Sequence, residues 1–200
     1  MTIIAFISQK GGVGKSTLAQ ALAVEAKKKK ISVLLADCDS QQSTSLEWSK
    51  LNKKIPCQVF QQAKDIWPLT KNYDLIIIDG PARTSTGTLE IAQKADLLIQ
   101  PTGASRADLV PAVKEFHALV QAKISKKKLL FILNHIGSKS EEEVGKEYLK
   151  ETGYSYLPIP LLEKVSFRSI QNEGKSITEV NFKTLRKQTK SLIESILDYI

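Results

Sequence analysis

Cysteine is scarce. Cys38 and Cys57 are the two in 200 residues, and they have no metal-type spacing. Reduced thiols in a cytoplasm are the simplest account of them. Aromatic residues make up 6% and are not interleaved with basic ones, which excludes a base-stacking binder of single strands. No apolar run approaches the roughly 18 residues that a membrane span needs. No basic segment or cleavage site precedes the first apolar run, so no signal peptide is expected. His117 and His135 have no carboxylate or cysteine at ligand spacing and read as structural. Internal repeats, linkers and low-complexity segments are also missing.

What is present is the composition of a soluble globular chain, 42% hydrophobic and 25% charged, long enough for one domain over residues 1–200. Basic residues outnumber acidic ones by 29 to 21, and the net charge of +8 is compatible with a polyanionic partner. The runs Lys27–Lys30 and Lys126–Lys128 read as solvated helix ends, where cations suit the helix dipole.

One stretch organises the rest. Ser8 to Thr17 reads SQKGGVGKST, between the apolar run Ile3–Ile7 and a helical stripe of Leu18, Ala19, Leu22, Ala23 and Ala26. Strand, glycine-rich turn and helix form the setting of a phosphate-binding loop. Gly11, Gly12 and Gly14 let backbone N–H groups curl toward phosphate oxygens, with Val13, Ser16 and Thr17 completing the cradle. The helix opening near Lys15 adds the positive end of its dipole. Lys15 can place an ammonium on the terminal phosphates and Ser16 can ligate Mg²⁺.

Further apolar runs are predicted strands: Ile31–Ala36, Gln58–Phe60, Leu75–Asp79, Leu97–Gln100, Leu129–Leu133 and Tyr156–Ile159. Helices are predicted over Thr44–Lys53, Asp65–Lys71, Thr86–Lys94, Ser105–Lys123, Ser140–Glu151, Val165–Asn172 and Asn181–Tyr199. Ser105–Asp108 and Ser140–Glu143 match capping boxes, and Gly80-Pro81-Ala82 matches a turn. Strands that are apolar throughout and alternate with helices imply a three-layer, doubly wound α/β fold, its sheet mostly parallel and covered on both faces. Lys15, Asp39, Asp79 and Asn134 all fall at or just after strand ends, where such sheets bind ligands.

The loop departs from GxxxxGK(S/T) in having Gln9 at the first glycine and a second lysine, Lys10, beside it. KGGVGKS resembles the deviant phosphate loop of the ParA/MinD ATPases. The resemblance extends to Asp37-Cys38-Asp39-Ser40-Gln41, similar to a DxDPQ switch, to Asp79-Gly80-Pro81, to Ala95–Ser105 and to Ile159-Pro160, Arg168 and Glu173–Glu179. It implies a P-loop ATPase hydrolysing ATP to ADP with Mg²⁺. Lys10 would reach the nucleotide of a second copy across a homodimer. Asp39 would position the attacking water, and Asp37 and Asp79 would sit at the metal. Asn134 would recognise adenine and Pro160 would join the nucleotide site. No extension precedes the loop, so the chain looks like the short ParA partition proteins of plasmid and chromosome segregation. These bind double-stranded DNA without sequence preference and are released by a centromere-bound adaptor, which implies a cytoplasmic, nucleoid-associated protein without a membrane partner. Candidate DNA contacts are Arg168, Lys175, Lys183, Arg186, Lys187 and Lys190. The alternatives are a MinD-like ATPase cycling on a membrane and a small-molecule ligase on the same fold.

Overall fold

The computed structural model describes residues 1–81 and 86–199. Its first strand, β1 (Thr2–Phe6), leads through the glycine loop into α1 (Lys15–Lys28). There follow β2 (Val33–Asp37), α2 (Thr44–Asn52), β3 (Cys57–Val59), β4 (Leu75–Asp79), α3 (Thr86–Lys94), β5 (Leu97–Thr102) and α4 (Arg106–Gln121). The chain closes with β6 (Leu129–Leu133), α5 (Lys139–Thr152), β7 (Ser155–Tyr156), α6 (Val165–Gln171) and α7 (Lys183–Leu197). Among the described residues the strands form one seven-stranded sheet in the order β3-β2-β4-β1-β5-β6-β7, and every pairing between them is parallel.

Strand side chains alternate between the two faces, and both faces are covered. Ile4, Phe6, Leu35, Ile77 and Ile132 pack with Leu18 and Leu22 of α1 and Leu192, Ile193 and Ile196 of α7. Ile3, Ala5, Ile76, Ile78 and Phe131 face the other way, against Ile91 of α3 and Leu109 and Phe116 of α4. All five positions of β2, β4 and β6 are therefore buried, which is why these strands are unbroken apolar runs. The chain winds one way from β1 to β2 and the other way to β5. This reversal opens a crevice beyond the carboxyl ends of β1 and its neighbours. Among the described residues no helix is long and apolar enough to cross a membrane.

Several local expectations change. Ser105 opens α4, but its side chain caps nothing. Its hydroxyl donates to Asp108 Oδ2 at 2.6 Å, because Asp108 is drawn toward Lys10 and away from a capping box. The cap of α5 is Ser138, which accepts from Glu141 N–H at 3.2 Å, and Ser140 lies inside the helix. β5 continues through Pro101 and Thr102; β1 stops pairing with it at Ile99, so the missing proline N–H breaks no ladder. The last strand shrinks from Tyr156–Ile159 to Ser155–Tyr156, and the segment Ala63–Asn72 is a 3-10 helix around Pro68. Lys126–Lys128 is a separate 3-10 turn, not a helix end. Lys126 lies 4.4 Å above the Tyr154 ring and Lys128 donates to Ala95 O at 2.7 Å. Ala82, the end of the expected Gly80-Pro81-Ala82 turn, lies outside the described residues.

Candidate functional site

The glycine loop leaves β1 at the crevice and enters α1 with Gly14 at φ +95, a left-handed conformation that suits glycine. A side chain at position 14 would also collide with the amide of Asn134, which is packed directly beneath the loop. Gly14 cannot cap α1, and the first turn of α1 carries no acid. The positive end of the helix is thus left open toward the crevice.

A cavity of about 240 Å³ lies there, lined by Gly11, Gly12, Gly14, Lys15, Ser16 and Thr17 from the loop. Asp39, Gln42, Thr44, Gly80 and His135 complete the lining. A second cavity of about 80 Å³ adjoins it through Thr17 and His135 and is lined by Asn134, Leu161, Leu162, Phe167 and Arg168 among others. A larger cavity, about 290 Å³, lies between the far ends of α1 and α2 and holds none of the expected site residues except Lys175. Chemistry, not volume, identifies the site.

Lys15 is buried, at 7% exposure. Burial pulls its ammonium below the usual lysine range, and Asp79, Asp39 and Glu115 oppose that fall by charge. Asp79 is also buried. Its Oδ2 accepts from the Ser45 hydroxyl at 2.7 Å, and among the described residues its Oδ1 has no hydrogen-bond partner. Burial pushes its carboxyl up to about 6, against the pull of the Ser16 and Ser45 hydroxyls. An orphaned carboxylate oxygen beside a serine hydroxyl fits a hard divalent cation held directly or through water.

Burying this carboxylate costs stability. The unfolded carboxyl ionises near 3.8 and the folded one near 6, so stability falls as pH rises from about 4 to about 6. Asp79→Asn is therefore expected to stabilise the nucleotide-free protein above pH 7 by on the order of 3 kcal/mol, with the gain vanishing near pH 4. Thermal unfolding at the two pH values checks this; equal melting temperatures for variant and parent at pH 7.5 would refute it.

Asp39 lines the first cavity. Its Oδ1 accepts from Gln42 N–H at 3.2 Å, which folds the loop after β2 around it. Asp37 is held by the backbone. Both of its oxygens are taken by backbone: Oδ1 by Asp39 N–H at 3.0 Å, Oδ2 by Ser45 N–H at 2.9 Å and Leu46 N–H at 3.1 Å. Asp37 is fully buried and, like Asp79, absent from the cavity wall. It caps α2 from a distance, because Ser43, left-handed at φ 46, makes no side-chain cap.

Asn134 is likewise engaged. Its amide donates to Val13 O at 2.6 Å and accepts from His135 N–H at 2.8 Å, so it props up the loop from below. Pro160 is buried and lines neither the first nor the second cavity; Leu161 and Leu162 stand where it was expected. Lys10 is ion-paired to Asp108 of its own chain, its side chain 53% exposed.

Sequence reasoning missed three contributors. Glu115, on α4, accepts from Gln9 N–H at 3.0 Å and from the Gln100 amide at 2.7 Å, fastening the start of the loop. His135 places Nε2 3.0 Å from Gly12 O and borders both cavities. Ser45 joins the two switch carboxylates, Asp37 through its N–H and Asp79 through its hydroxyl. Only Ser45 had a visible signal, its place at the start of the helix that follows the DxD segment.

A parallel α/β sheet with an open helix end, a buried lysine and a strand-end carboxylate defines a phosphate-loop nucleotide hydrolase. The chain belongs to the CobQ/CobB/MinD/ParA nucleotide binding domain family, whose model matches residues 4–177. It is an ATPase of the ParA/MinD type. It is 24% identical over 196 residues to Protein ParA of Rhizobium radiobacter, covering 92% of this chain and 88% of that one. It is 30% identical over 128 residues to Maintenance of carboxysome distribution protein A of Gloeobacter kilaueensis, covering 59% of this chain and 56% of that protein. The aligned part thus spans little more than half of the carboxysome protein. The MinD cell division protein of Aquifex aeolicus superposes with a TM-score of 0.76 at 18% identity, over 99% of this chain and 98% of that one.

Proposed function

We propose that this ATPase partitions DNA: ATP drives a homodimer, the dimer holds double-stranded DNA without sequence preference, and hydrolysis prompted by a separate adaptor releases it. In this reading Lys15 meets the terminal phosphates, Ser16 and Asp79 hold Mg²⁺, and Asp39 positions the attacking water. Asn134 shapes the adjoining cavity for the base. Bound Mg²⁺ would neutralise phosphate charge; the protein residues orient and exclude water around it.

The observation that carries the DNA reading is α7. Its first two turns hold Lys183, Arg186, Lys187 and Lys190 on one side and no acid in the first turn. Helix dipoles disfavour cations at that end. Among the described residues none of the four has an ion pair, whereas Arg168 and Lys175 are paired with Glu163 and Glu173. A stripe of free cations placed against the local rule is accounted for by a polyanion.

The test is retention on double-stranded DNA with ATP, with ADP and without nucleotide, beside vesicles of anionic lipid. DNA binding is expected with ATP only, falling steeply between 50 and about 200 mM salt, by roughly tenfold or more if two phosphates are neutralised. Equal retention with ADP, or retention on vesicles alone, would overturn it; the second outcome is the MinD-like reading. For the dimer, Lys10→Ala is expected to leave nucleotide binding by the monomer within about twofold and to weaken the ATP-bound dimer by about tenfold or more, the size of one charge-assisted contact. Sedimentation with a non-hydrolysable analogue reads this directly, and an unaltered dimer would remove Lys10 from the interface.

A further inference from the structure

A line of buried polar side chains leads from the metal position to the surface. Ser45 donates its hydroxyl to Asp79 Oδ2 at 2.7 Å. Gln20, on α1, donates its amide to Ser45 Oγ at 3.4 Å. Gln171, the last residue of α6, donates to Gln20 Oε1 at 2.8 Å and lies 3.3 Å from the Thr17 hydroxyl. Gln20 is 2% exposed and Ser45 is fully buried. α6 also carries Arg168, and Gln171 borders the second cavity.

The direction of the chain follows from chemistry. An ionised carboxylate only accepts, so Ser45 must donate to it. Its hydroxyl oxygen then accepts, so Gln20 must present its NH₂ there and its carbonyl to Gln171. Every donor thus points toward Asp79, and each bond polarises the next. Breaking one link would strand a buried polar group, at a cost comparable to a lost hydrogen bond. These residues therefore adjust together.

We propose that Ser45, Gln20 and Gln171 couple α6 to the metal position, with Ser45 acting as the positioning residue of Asp79. A cation that engages the orphaned Asp79 Oδ1 would reset the Ser45 hydroxyl, and the change would pass through α1 to the end of α6. Ser45 also ties Asp79 to the α2 cap at Asp37, so both switch segments share the link. That α6 then alters a DNA-binding face rests on the proposed function; the coupling itself does not.

Amide hydrogen exchange tests the coupling without any turnover. Saturating non-hydrolysable ATP analogue is added with Mg²⁺ or with a chelator, so that direct contact of the nucleotide with α6 is common to both arms. Mg²⁺ is expected to slow exchange over residues 165–171 by at least about threefold in the parent protein. That increment is expected to vanish in Gln20→Leu and Ser45→Ala and to survive in Ser45→Thr, which keeps the hydroxyl. Should Gln20→Leu fail to fold, Gln171→Leu breaks the same chain at its half-buried outer end. No Mg²⁺ increment in the parent, or an undiminished one in Gln20→Leu or Gln171→Leu, would overturn the proposal. DNA retention run in parallel separates the two readings: coupling without DNA binding refutes only the function, and ATP-dependent DNA binding without coupling refutes only the chain.

Discussion

Lys15→Ala is expected to lower ATP affinity by at least about 30-fold in equilibrium titration, because truncating one partner of a buried charge pair costs roughly 2–5 kcal/mol. The lysine is 7% exposed, at the first turn of a helix with no acid. It is the cation that the loop places in the cavity wall. Removing it also takes away the positive charge that offsets both Asp79 and Asp39. Phosphate would then enter a crevice of net negative sign. ADP should lose less affinity than ATP, since the terminal phosphate contributes most of the charge. An affinity within about threefold of the parent, in a variant that keeps its melting temperature, would exclude Lys15 from the phosphate site.

Asp39→Ala is expected to behave in the opposite way. ATP binding should persist within a few-fold, and hydrolysis should fall by about 10² or more, the usual contribution of a residue that orients or deprotonates a nucleophile. Asp39 suits this role because it is anchored by the Gln42 N–H and still borders the cavity. Asp39→Asn keeps the anchoring oxygen and removes the charge, so it should hydrolyse as poorly as the alanine variant. Phosphate release under single-turnover conditions measures both. Full turnover by the asparagine variant would mean that the loop needs the side chain as a turn former and not as a water-positioning carboxylate.

Much of the site was legible because its core is contiguous. Ser8 to Thr17 supplies most of the first cavity from a single stretch, and its geometry follows from three glycines and a helix start. The parallel sheet was legible as well, since two buried faces force unbroken apolar strands. The boundaries were less so. The Ser105 box failed because a distant lysine took its acid, and the Ser140 box shifted because Ser138 was two residues nearer the strand.

The sequence by itself determined the fold class, the phosphate loop and the positions of Asp39 and Asp79, since each lies within a few residues of the pattern that reveals it. Tertiary structure alone decided what the remaining polar groups do. Asp37 took up the cap of α2, Asn134 turned under Val13, and Glu115 took hold of Gln9 106 residues away. Ser45 and Asp79 became partners across 34 residues. The reason is physical. A buried carboxylate or amide must find a hydrogen bond, and which donor is within reach depends on the strand order, which no local pattern carries.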